Sequence, residues 1–342
     1  MRVAFDARLL GHAATGERGV GRYARCLLDA LVAAGRDVAV LADLPRPAAP
    51  ERFAEGFEHF LLARDVRARG AAVLHTPSVD NLSLRPGVPQ VVTVHDLEPL
   101  LHAERYLRSG LKHRIRYAAV RRSARVIVPT RVVALDAERL LGLGPERVAV
   151  VAEAPAPVFQ PMSDPRAALD RLRLPDRFLL WVGGLDPPDP RKQLPRLLAA
   201  VMERDGLPLV LAGRPDPAAP SLAREGRIEV VGRVSDEELA ALYGAAEALV
   251  VSSSAEGYGL PAVEALACGS PVAAFDIPAT RETLGRADGV EFAPEGDFGA
   301  LLEAAERLAG SYPSRPSRTW DDVAAETWAV YESALGRGTD AR

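Results

Sequence analysis

The feature that most constrains the fold of this chain is a repeated alternation between short β-rich apolar runs and longer helical patterns. Such alternation is typical of a parallel sheet wound with helices. The strands predicted in the first half are Arg2–Asp6, Asp37–Ala42, Ala72–Thr76, Gln90–His95, Arg125–Pro129 and Arg147–Ala152. The alternation then restarts, with strands predicted at Phe178–Val182, Leu209–Leu211, Ile228–Val231, Ala248–Ser252, Val272–Phe275 and Val290–Phe292.

A proline-rich segment separates the two sets of strands. Ala154–Pro161 contains three prolines and can continue neither a helix nor a central strand, so it is predicted to be an interdomain linker. A length of 342 residues is also too great for one typical core and suits two domains. We therefore predict one Rossmann-like domain over residues 1–158 and a second over residues 159–318.

Composition narrows the class of protein. A hydrophobic content of 48% and a charged content of 26% are ordinary for globular proteins, and a net charge of −4 argues against nucleic-acid binding. The chain has no apolar run of about 18 residues, and its first residues have the pattern of a strand, so a cytoplasmic protein is expected. The two cysteines, Cys26 and Cys268, support neither a disulfide framework nor a zinc site.

The turn from Glu256 to Glu264 carries the most chemical information. It follows a predicted buried strand, and Pro261 stands where a proline best opens a helix. The glycines of this turn allow the amides of Tyr258, Gly259 and Leu260 to point at an anion of the size of a diphosphate. Glu264, about one turn into the helix, is placed to accept the hydroxyl protons of a ribose, and Glu256 to meet a sugar beyond the phosphates.

This spacing of two glutamates resembles the signature of the retaining glycosyltransferases of family 4, which have the GT-B fold. The segments Gly232–Tyr243 upstream and Ala265–Val272 downstream are similar to the C-terminal domain of the same family, in the same order. The resemblance extends over nearly the whole chain. It implies a donor site formed by Gly183, Gly184, Arg191, Lys192, Gly232, Val234, Glu256, Gly257, Tyr258, Gly259, Leu260 and Glu264, together with Gly16 and Gly19.

Arg191 and Lys192 are predicted to neutralise a departing diphosphate. They follow the glycine pair that ends a predicted strand, near the start of the next helix. The usual sequence of the family is Arg-Lys-Asn, so Gln193 is a departure. A metal is the alternative source of positive charge. Asp186 and Asp189 are the nearest candidate pair, but acids in proline-rich loops are commonly solvated, so we expect no metal site.

Two motifs of the first domain also resemble the family. The loop Thr15–Tyr23, with Gly16 and Gly19, is similar to the glycine loop that these enzymes place against the donor phosphate. His95 ends a predicted strand, where open α/β sheets bind ligands. Its tetrapeptide resembles a family motif whose histidine lies beside the transferred sugar, so His95 joins Arg191, Lys192 and Glu256 as a candidate catalytic residue.

The resemblance implies an α/β protein of the GT-B class, in which two doubly wound Rossmann-like domains face each other across a cleft. Thr319 and Asp322 begin the last helix, and residues 319–342 resemble the family's C-terminal helix that crosses back to the first domain. The reaction implied is transfer of a hexose from a nucleotide diphosphate sugar to a hydroxyl acceptor with retained configuration. No cofactor or metal is expected.

The sequence motifs identify the type of reaction more closely than they identify the donor and the acceptor. The glycine loop and the histidine motif look most like bacterial mannosyltransferases of polysaccharide or glycolipid assembly, which implies GDP-mannose, with a UDP-sugar as the alternative donor. The acceptor alternatives are a small sugar or a natural product. A sugar-nucleotide epimerase of the same fold is a second enzyme alternative. A two-domain ligand-binding protein is the non-enzyme alternative, although the periplasmic type would need an export signal.

A basic stretch in the first half suggests one further partner. Residues 105–125 include Arg105, Arg108, Lys112, Arg114, Arg116, Arg121, Arg122 and Arg125 beside a short apolar stripe. Such a helix either packs on its own sheet or rests on an anionic membrane, where a lipid-linked acceptor would be found. The commoner cause of an apolar stripe is core packing. The membrane alternative would place the protein at the inner membrane face.

Overall fold

The computed structural model describes residues 1–11, 19–42, 62–83, 85–101, 116–172, 174–185, 189–213, 223 and 226–336. The chain divides into two compact units. The first unit comprises Met1–Glu153 and Thr319–Arg342, and the second comprises Ala154–Arg318. The chain therefore passes from the first unit to the second at the start of the proline-rich segment, and it returns to the first unit at Thr319.

The first unit is built on a six-stranded parallel sheet with the order β2-β1-β3-β4-β5-β6. Its strands β1 to β6 are Val3–Asp6, Val38–Leu41, Val73–Thr76, Gln90–Thr93, Arg125–Val128 and Val148–Val150. The helices described are α1 (Gly19–Ala33), α2 (62–68), α3 (Glu98–Leu101), α4 (116–120), α5 (Arg131–Leu141) and α11 (Trp320–Gly336).

Helix α1 shows how local pattern determines structure in this unit. Tyr23, Leu27 and Leu31 recur at helical spacing and are buried on one face, as the sequence predicts. The chain leaves the helix at Gly35, whose φ of 67° lies in the left-handed region that glycine adopts at little cost. The apolar pattern of the sequence from Val20 to Ala34, ended by Gly35, predicts this helix, and its observed bounds differ from that span by one residue at each end.

Helix α11 packs on the first unit although it follows the second unit in sequence. It contacts α1 and the strands β3, β4 and β5. Thr319 and Asp322 cap its start reciprocally, as predicted: the Thr319 amide donates to Asp322 Oδ2 over 2.9 Å, and the Asp322 amide donates to Thr319 Oγ1 over 3.4 Å. Val323 and Tyr331 are fully buried, so the helix supplies part of this unit's core.

The second unit has its own six-stranded parallel sheet, with the order β12-β11-β10-β7-β8-β9. Its strands β7 to β12 are Leu179–Val182, Leu209–Ala212, Ile228–Gly232, Ala248–Val251, Val272–Phe275 and Val290–Ala293. Its helices are α6 (Leu194–Met202), α7 (Asp236–Ala245), α8 (Leu260–Ala267), α9 (Pro278–Leu284) and α10 (Phe298–Arg307). The two parallel sheets confirm the predicted α/β class.

The core of the second unit lies between its sheet and the helices packed on it. Trp181, Phe275 and Phe298 are buried there, and the two phenylalanine rings meet edge to face with centroids 5.1 Å apart. Helix α7 begins with a capping box, which the sequence Ser235-Asp-Glu-Glu238 predicts, and Ser235 and Glu238 each accept the other's backbone amide. This core fixes the strand ends from which the candidate site is built.

Candidate functional site

The strand order of the second unit makes the carboxyl ends of its central strands a candidate ligand site. Strands β7 and β10 are neighbours, but the chain runs outward from them in opposite directions. In open α/β sheets, ligands bind outside the carboxyl ends of the strands at such a reversal. Lys192 follows β7 and Glu256 follows β10, so the topology brings together two predicted site residues that are distant in sequence.

The turn before α8 has the geometry of an anion cradle. Gly259 caps the helix with a φ of 86°, in the left-handed region that favours glycine. Pro261 lies in the first turn, where its missing N–H leaves no hydrogen bond unmade. The amides at the start of this helix lie at the positive end of its dipole. Gly257, Tyr258 and Leu260 are all partly exposed beside it.

Lys192 and Glu256 meet directly in front of this turn. Lys192 Nζ lies 3.4 Å from Glu256 Oε1, and the Oγ of Ser253 donates to the same oxygen over 2.7 Å. The two charged side chains are 21% and 15% exposed, so each is largely removed from water yet reachable by a ligand. Both line a pocket that also includes Trp181, Gly259 and Pro261.

The loop that carries Arg191 is ordered by Asp189. The carboxylate of Asp189 accepts the Arg191 amide over 3.0 Å and receives the Arg191 guanidinium, with Nη2 2.7 Å from Oδ2. Burial alone would raise the pKa of Asp189, but the hydrogen bonds and charge of Arg191, with the charge of Lys192, lower the pKa below its usual range. Asp189 therefore stays ionised and fixes the direction of Arg191.

Serine side chains connect this loop to the turn before α8. Ser252 Oγ donates to the Lys192 carbonyl over 2.6 Å. The amide of Ser254 donates to the Arg191 carbonyl over 2.8 Å. Because these bonds link the backbones of both cationic residues to the residues that precede Glu256, the charges on the two loops are held in a fixed relation.

Glu264 lies inside α8 and is fully buried. Its Oε2 accepts a hydrogen bond from the Tyr243 hydroxyl over 3.2 Å, which joins α8 to α7. Among the lining residues of the pocket, Glu264 does not appear. A ribose can therefore reach this carboxylate only when neighbouring groups move. Glu264 has a structural role in the contact with Tyr243, in addition to the ribose binding predicted from the sequence.

Two of the predicted glycines of the second unit, Gly183 and Gly232, occupy positions that favour glycine. A Cβ on Gly183 would lie 2.6 Å from the Trp181 ring and 2.9 Å from the Lys192 side chain, so a larger residue would displace the cation. Gly184 has open space around it. Gly232 ends β9 with a φ of 72°, and Val234, half-buried, precedes the cap of α7.

In the first unit, His95 lies just beyond the carboxyl end of β4. Its Nδ1 is 3.0 Å from Glu153 Oε1 and its Nε2 is 3.0 Å from the carbonyl oxygen of Pro77. The ring packs edge to face on Tyr23, with centroids 4.7 Å apart. Gly19 is the first residue of α1, whereas residues 15–18 of the loop, which include Gly16, lie outside the described residues.

Other predictions can be compared only in part. Within the described residues, no group of three or more His, Cys, Asp or Glu side chains could hold a metal ion, and Asp186 lies outside them. Residues 105–115 of the basic stretch also lie outside them. Of its described cations, Arg116 pairs with Asp80 over 2.7 Å and Arg125 donates to the Ser333 carbonyl. No helix in the described ranges is long and apolar enough to span a membrane.

Sequence comparison decides the family. The family described as Glycosyltransferase Family 4 matches residues 18–153, and the family described as Glycosyl transferases group 1 matches residues 176–311. An MMP alpha-(1->4)-mannosyltransferase of Mycolicibacterium hassiacum is 31% identical over 73% of this chain and 67% of its own length. The chain belongs to glycosyltransferase family 4. The resemblance inferred from the sequence motifs is thus confirmed.

A second relative of this family 4 chain has a different substrate name. A D-inositol 3-phosphate glycosyltransferase of Streptosporangium roseum is 32% identical over 236 residues, which are 62% of this chain. Those residues are 52% of the relative, so the chain spans about half the length of that protein. The relatives therefore share the family with this chain and differ among themselves in what they act on.

Solved structures confirm the GT-B fold class of the family 4 chain. Sucrose-phosphate synthase from Thermosynechococcus elongatus superposes with a TM-score of 0.70 at 21% identity, covering 99% of this chain and 97% of the other. HepE of Anabaena, in complex with UDP-glucose, superposes with a TM-score of 0.64 at 17% identity, covering 99% of both chains. At these identities the likeness concerns the fold alone.

The family 4 motifs did not reveal every residue of the site. The sequence did not predict that Tyr243 contacts Glu264 or that Asp189 contacts Arg191. It also did not predict the links that Ser252, Ser253 and Ser254 make between the loops. The serine run directly before Glu256 was a visible signal, because hydroxyls after a strand end can bond to neighbouring loops. The departure at Gln193 also has a structural consequence, since its φ of 49° is left-handed, a region that asparagine tolerates better than glutamine.

Proposed function

We propose that this chain transfers a hexose, with mannose favoured, from a nucleotide diphosphate sugar to a hydroxyl acceptor with retention of configuration. The observation that carries the proposal is the meeting of Lys192 and Glu256, 3.4 Å apart, at the sheet's reversal point and in front of α8. This place combines a cation, a carboxylate and a helix N-terminus, which suit the phosphates and the sugar of such a donor. Lys192 suits its phosphates and Glu256 suits its sugar hydroxyls.

Each part of the donor has a proposed partner in the second unit. Arg191, Lys192 and the amides of the turn before α8 bind the diphosphate, with Gly183 and Gly184 giving the phosphates room. Glu256 binds the sugar, and Glu264 the ribose. Gly232 and Val234 lie beside the nucleotide in this proposal. From the first unit, His95 contacts the sugar, and the loop containing Gly16 and Gly19 contacts the phosphate.

The protein's part in the reaction would be charge stabilisation and positioning. The acceptor hydroxyl attacks on the face from which the diphosphate leaves, and the departing phosphate oxygen takes the acceptor proton. Negative charge grows on that phosphate as the glycosidic bond breaks, and Arg191 and Lys192 stabilise this charge without a divalent metal. The network of Asp189 and the serines keeps both cations in place before the donor arrives, so little reorganisation is needed during the reaction.

The mannosyl donor is supported by the Mycolicibacterium relative, which is a mannosyltransferase. The acceptor is a hydroxyl of a growing saccharide in this proposal, with a lipid-linked chain as one form. The Streptosporangium relative makes D-inositol 3-phosphate the other acceptor to test.

The test incubates the purified chain with GDP-mannose or UDP-glucose, each with a mannoside acceptor, with D-inositol 3-phosphate or with no acceptor. We expect an acceptor-dependent product from GDP-mannose whose anomeric proton shows the configuration of the donor. An inverted anomer would overturn the retaining assignment. Free sugar or a new sugar nucleotide formed without acceptor would indicate an epimerase instead.

Chelation provides a separate test of metal independence. We expect turnover with GDP-mannose to survive EDTA, because Arg191 and Lys192 supply the positive charge that a divalent ion would otherwise provide. The control repeats the assay after adding back Mg²⁺ or Mn²⁺. Loss of activity on chelation, restored by either ion, would show that a metal site has been missed.

A further inference from the structure

The ring of His95 is held between two groups that accept hydrogen bonds. One is the carbonyl oxygen of Pro77, 3.0 Å from Nε2, and the other is Glu153 Oε1, 3.0 Å from Nδ1. A carbonyl oxygen can only accept, so Nε2 must carry a proton. The remaining nitrogen faces a carboxylate at hydrogen-bond distance, and two acceptors cannot share that distance without a proton between them.

The charges around the ring decide where this second proton resides. Burial alone would lower the pKa of His95, but the hydrogen bond and charge of Glu153, the Pro77 carbonyl and the charge of Asp96 together raise the pKa. Tyr23 covers one side of the ring with its own uncharged ring. His75, the other titratable group that interacts with it, has a pKa lowered to about 3 by burial and by His95, so it is neutral at pH 7.

We propose that Glu153 is a positioning residue that holds His95 as a doubly hydrogen-bonded imidazolium with a fixed ring orientation. Glu153 is suited to this role because its side chain is only 3% exposed, whereas the His95 side chain is 19% exposed. A buried carboxylate is costly unless it is paired, so the pair keeps both charges. Glu153 and His95 are separated by 58 positions in sequence, yet both lie in the first unit.

The proposal restricts what His95 can do in the reaction proposed above. An imidazolium whose two N–H groups are engaged has no lone pair, so it cannot remove the acceptor proton. It presents a fixed positive charge and the exposed edge of its ring at the end of β4. This agrees with a reaction in which the leaving phosphate takes the proton, and it makes the protonated state of His95 the active one.

The first measurement needs no substrate. Nitrogen-15 NMR of the six histidines in the full chain, with His95 assigned through His95→Gln, reports the protonation of each ring nitrogen. We expect both nitrogens of His95 to be protonated at pH 7 in the wild type and one to lose its proton in Glu153→Gln. The matched control is Glu146→Gln, an exposed acid of the same unit, which should leave the His95 signals unchanged.

The second measurement rests on the proposed function and follows kcat/KM against pH. Activity should fall at high pH as His95 loses its proton, and this basic limb should move to lower pH in Glu153→Gln but not in Glu146→Gln. In Glu153→Asp, which keeps the charge, this shift of the basic limb should be smaller than in Glu153→Gln. A neutral His95 in the wild type, or identical His95 titration in Glu153→Gln, would overturn the inference. If no substrate is turned over, only the proposed function fails, because the NMR result stands alone.

Discussion

The two cations of the proposed donor site are each paired with a carboxylate. Arg191 is oriented by Asp189 and Lys192 by Glu256, so each cation is already paired before any ligand binds. A bound diphosphate would therefore compete with carboxylates for these cations. The free energy gained on binding is then the difference between the contact with the diphosphate and the contact with the carboxylate that it replaces. This difference is largest when the phosphate carries more negative charge than a carboxylate, as in the proposed cleavage of the glycosidic bond.

At this scale we predict that Arg191→Ala and Lys192→Ala each lower the single-turnover rate at saturating donor by about 10²–10³-fold, as losing one oxyanion donor does. The reason is that charge growing on the phosphate loses its partner. Arg177→Ala is the matched control, because Arg177 is an exposed arginine of the same unit paired with Glu247. Rates equal to wild type in either variant would mean that these residues act only in binding.

Glu264 allows a second test at the level of one residue. Glu264→Ala should weaken nucleotide diphosphate binding, measured by calorimetry, by about 1.5–3 kcal/mol, the range for a hydrogen bond to a charged group. Tyr243→Phe is the control, because it removes the donor to Glu264 while keeping the carboxylate. It should lower thermal stability and leave affinity nearly unchanged. Unaltered affinity in Glu264→Ala would assign Glu264 to the contact between α7 and α8 alone.

Among the elements, the short turn from Pro190 to Lys192 stands out because it ends in an unusual conformation. Gln193 has a φ of 49° and is the single non-glycine residue with positive φ in the described ranges. Its side chain accepts from Arg196 over 2.8 Å and lies within reach of the Ser252 carbonyl. The strain thus falls at the point where the cationic turn meets α6, and these contacts offset part of it.

We predict that Gln193→Gly is more stable than Gln193→Ala by about 1 kcal/mol, the cost of a left-handed backbone for a residue with a Cβ. Both variants lose the side-chain contacts, so the comparison isolates the backbone. Urea denaturation measures the difference. Within a regular helix the order is reversed, with glycine less stable than alanine. Equal stabilities, or alanine the more stable, would show that this turn relaxes to another conformation.

Elements were the level best predicted from sequence. Buried parallel strands are continuous apolar runs, so Val272–Phe275 was predicted with its observed bounds. The reciprocal cap of Ser235 and Glu238 was visible because both partners are local. For the candidate site, the sequence predicted which residues take part but not the contacts between them. His95 with Glu153, and Ser252 with Lys192, are contacts made by the folded sheet between distant residues, and no local spacing encodes them.

On the scale of the whole chain, a buried polar network connects distant parts of the first unit. His75 Nδ1 lies 2.5 Å from the Tyr331 hydroxyl of α11, and its Nε2 lies 3.0 Å from Thr93 Oγ1. Thr93 in turn meets the Tyr23 hydroxyl of α1 at 3.0 Å. Burial raises the pKa of both tyrosines, so these hydroxyls stay neutral. Burial and the charge of His95 lower the pKa of His75, so the buried network favours the neutral ring.

This network predicts acid sensitivity. The pKa of His75 is lowered to about 3, whereas the unfolded chain has the ordinary value of about 6.5. Between these values the unfolded state binds the extra proton, so the free energy of unfolding should fall as pH falls, by about 1.4 kcal/mol per pH unit. Above about pH 6.5 this contribution is constant.

Fluorescence of Trp320 and Trp328 during urea unfolding, in a Trp181→Phe background that removes the tryptophan of the second unit, measures the stability of the unit that contains α11 at several pH values between 4 and 7. His75→Gln should have a shallower dependence on pH than the wild type, whatever its stability at pH 7. The decisive quantity is the difference between the two proteins in the slope of the free energy of unfolding against pH. The carboxylates contribute equally to this slope in both proteins. Parallel slopes would mean that His75 does not control acid unfolding.

The return of α11 to the first unit also sets an order of events during synthesis. Strands β3, β4 and β5 have left the ribosome long before Trp320–Gly336, which cover them, are translated. The second unit is contiguous, so it can finish folding while the first still exposes apolar surface to chaperones. Domains usually complete in the order of synthesis. Ribosome-bound chains that carry, after residue 318, a linker long enough to place this residue outside the ribosome should therefore resist protease in Ala154–Arg318 and remain open to cleavage in Met1–Glu153.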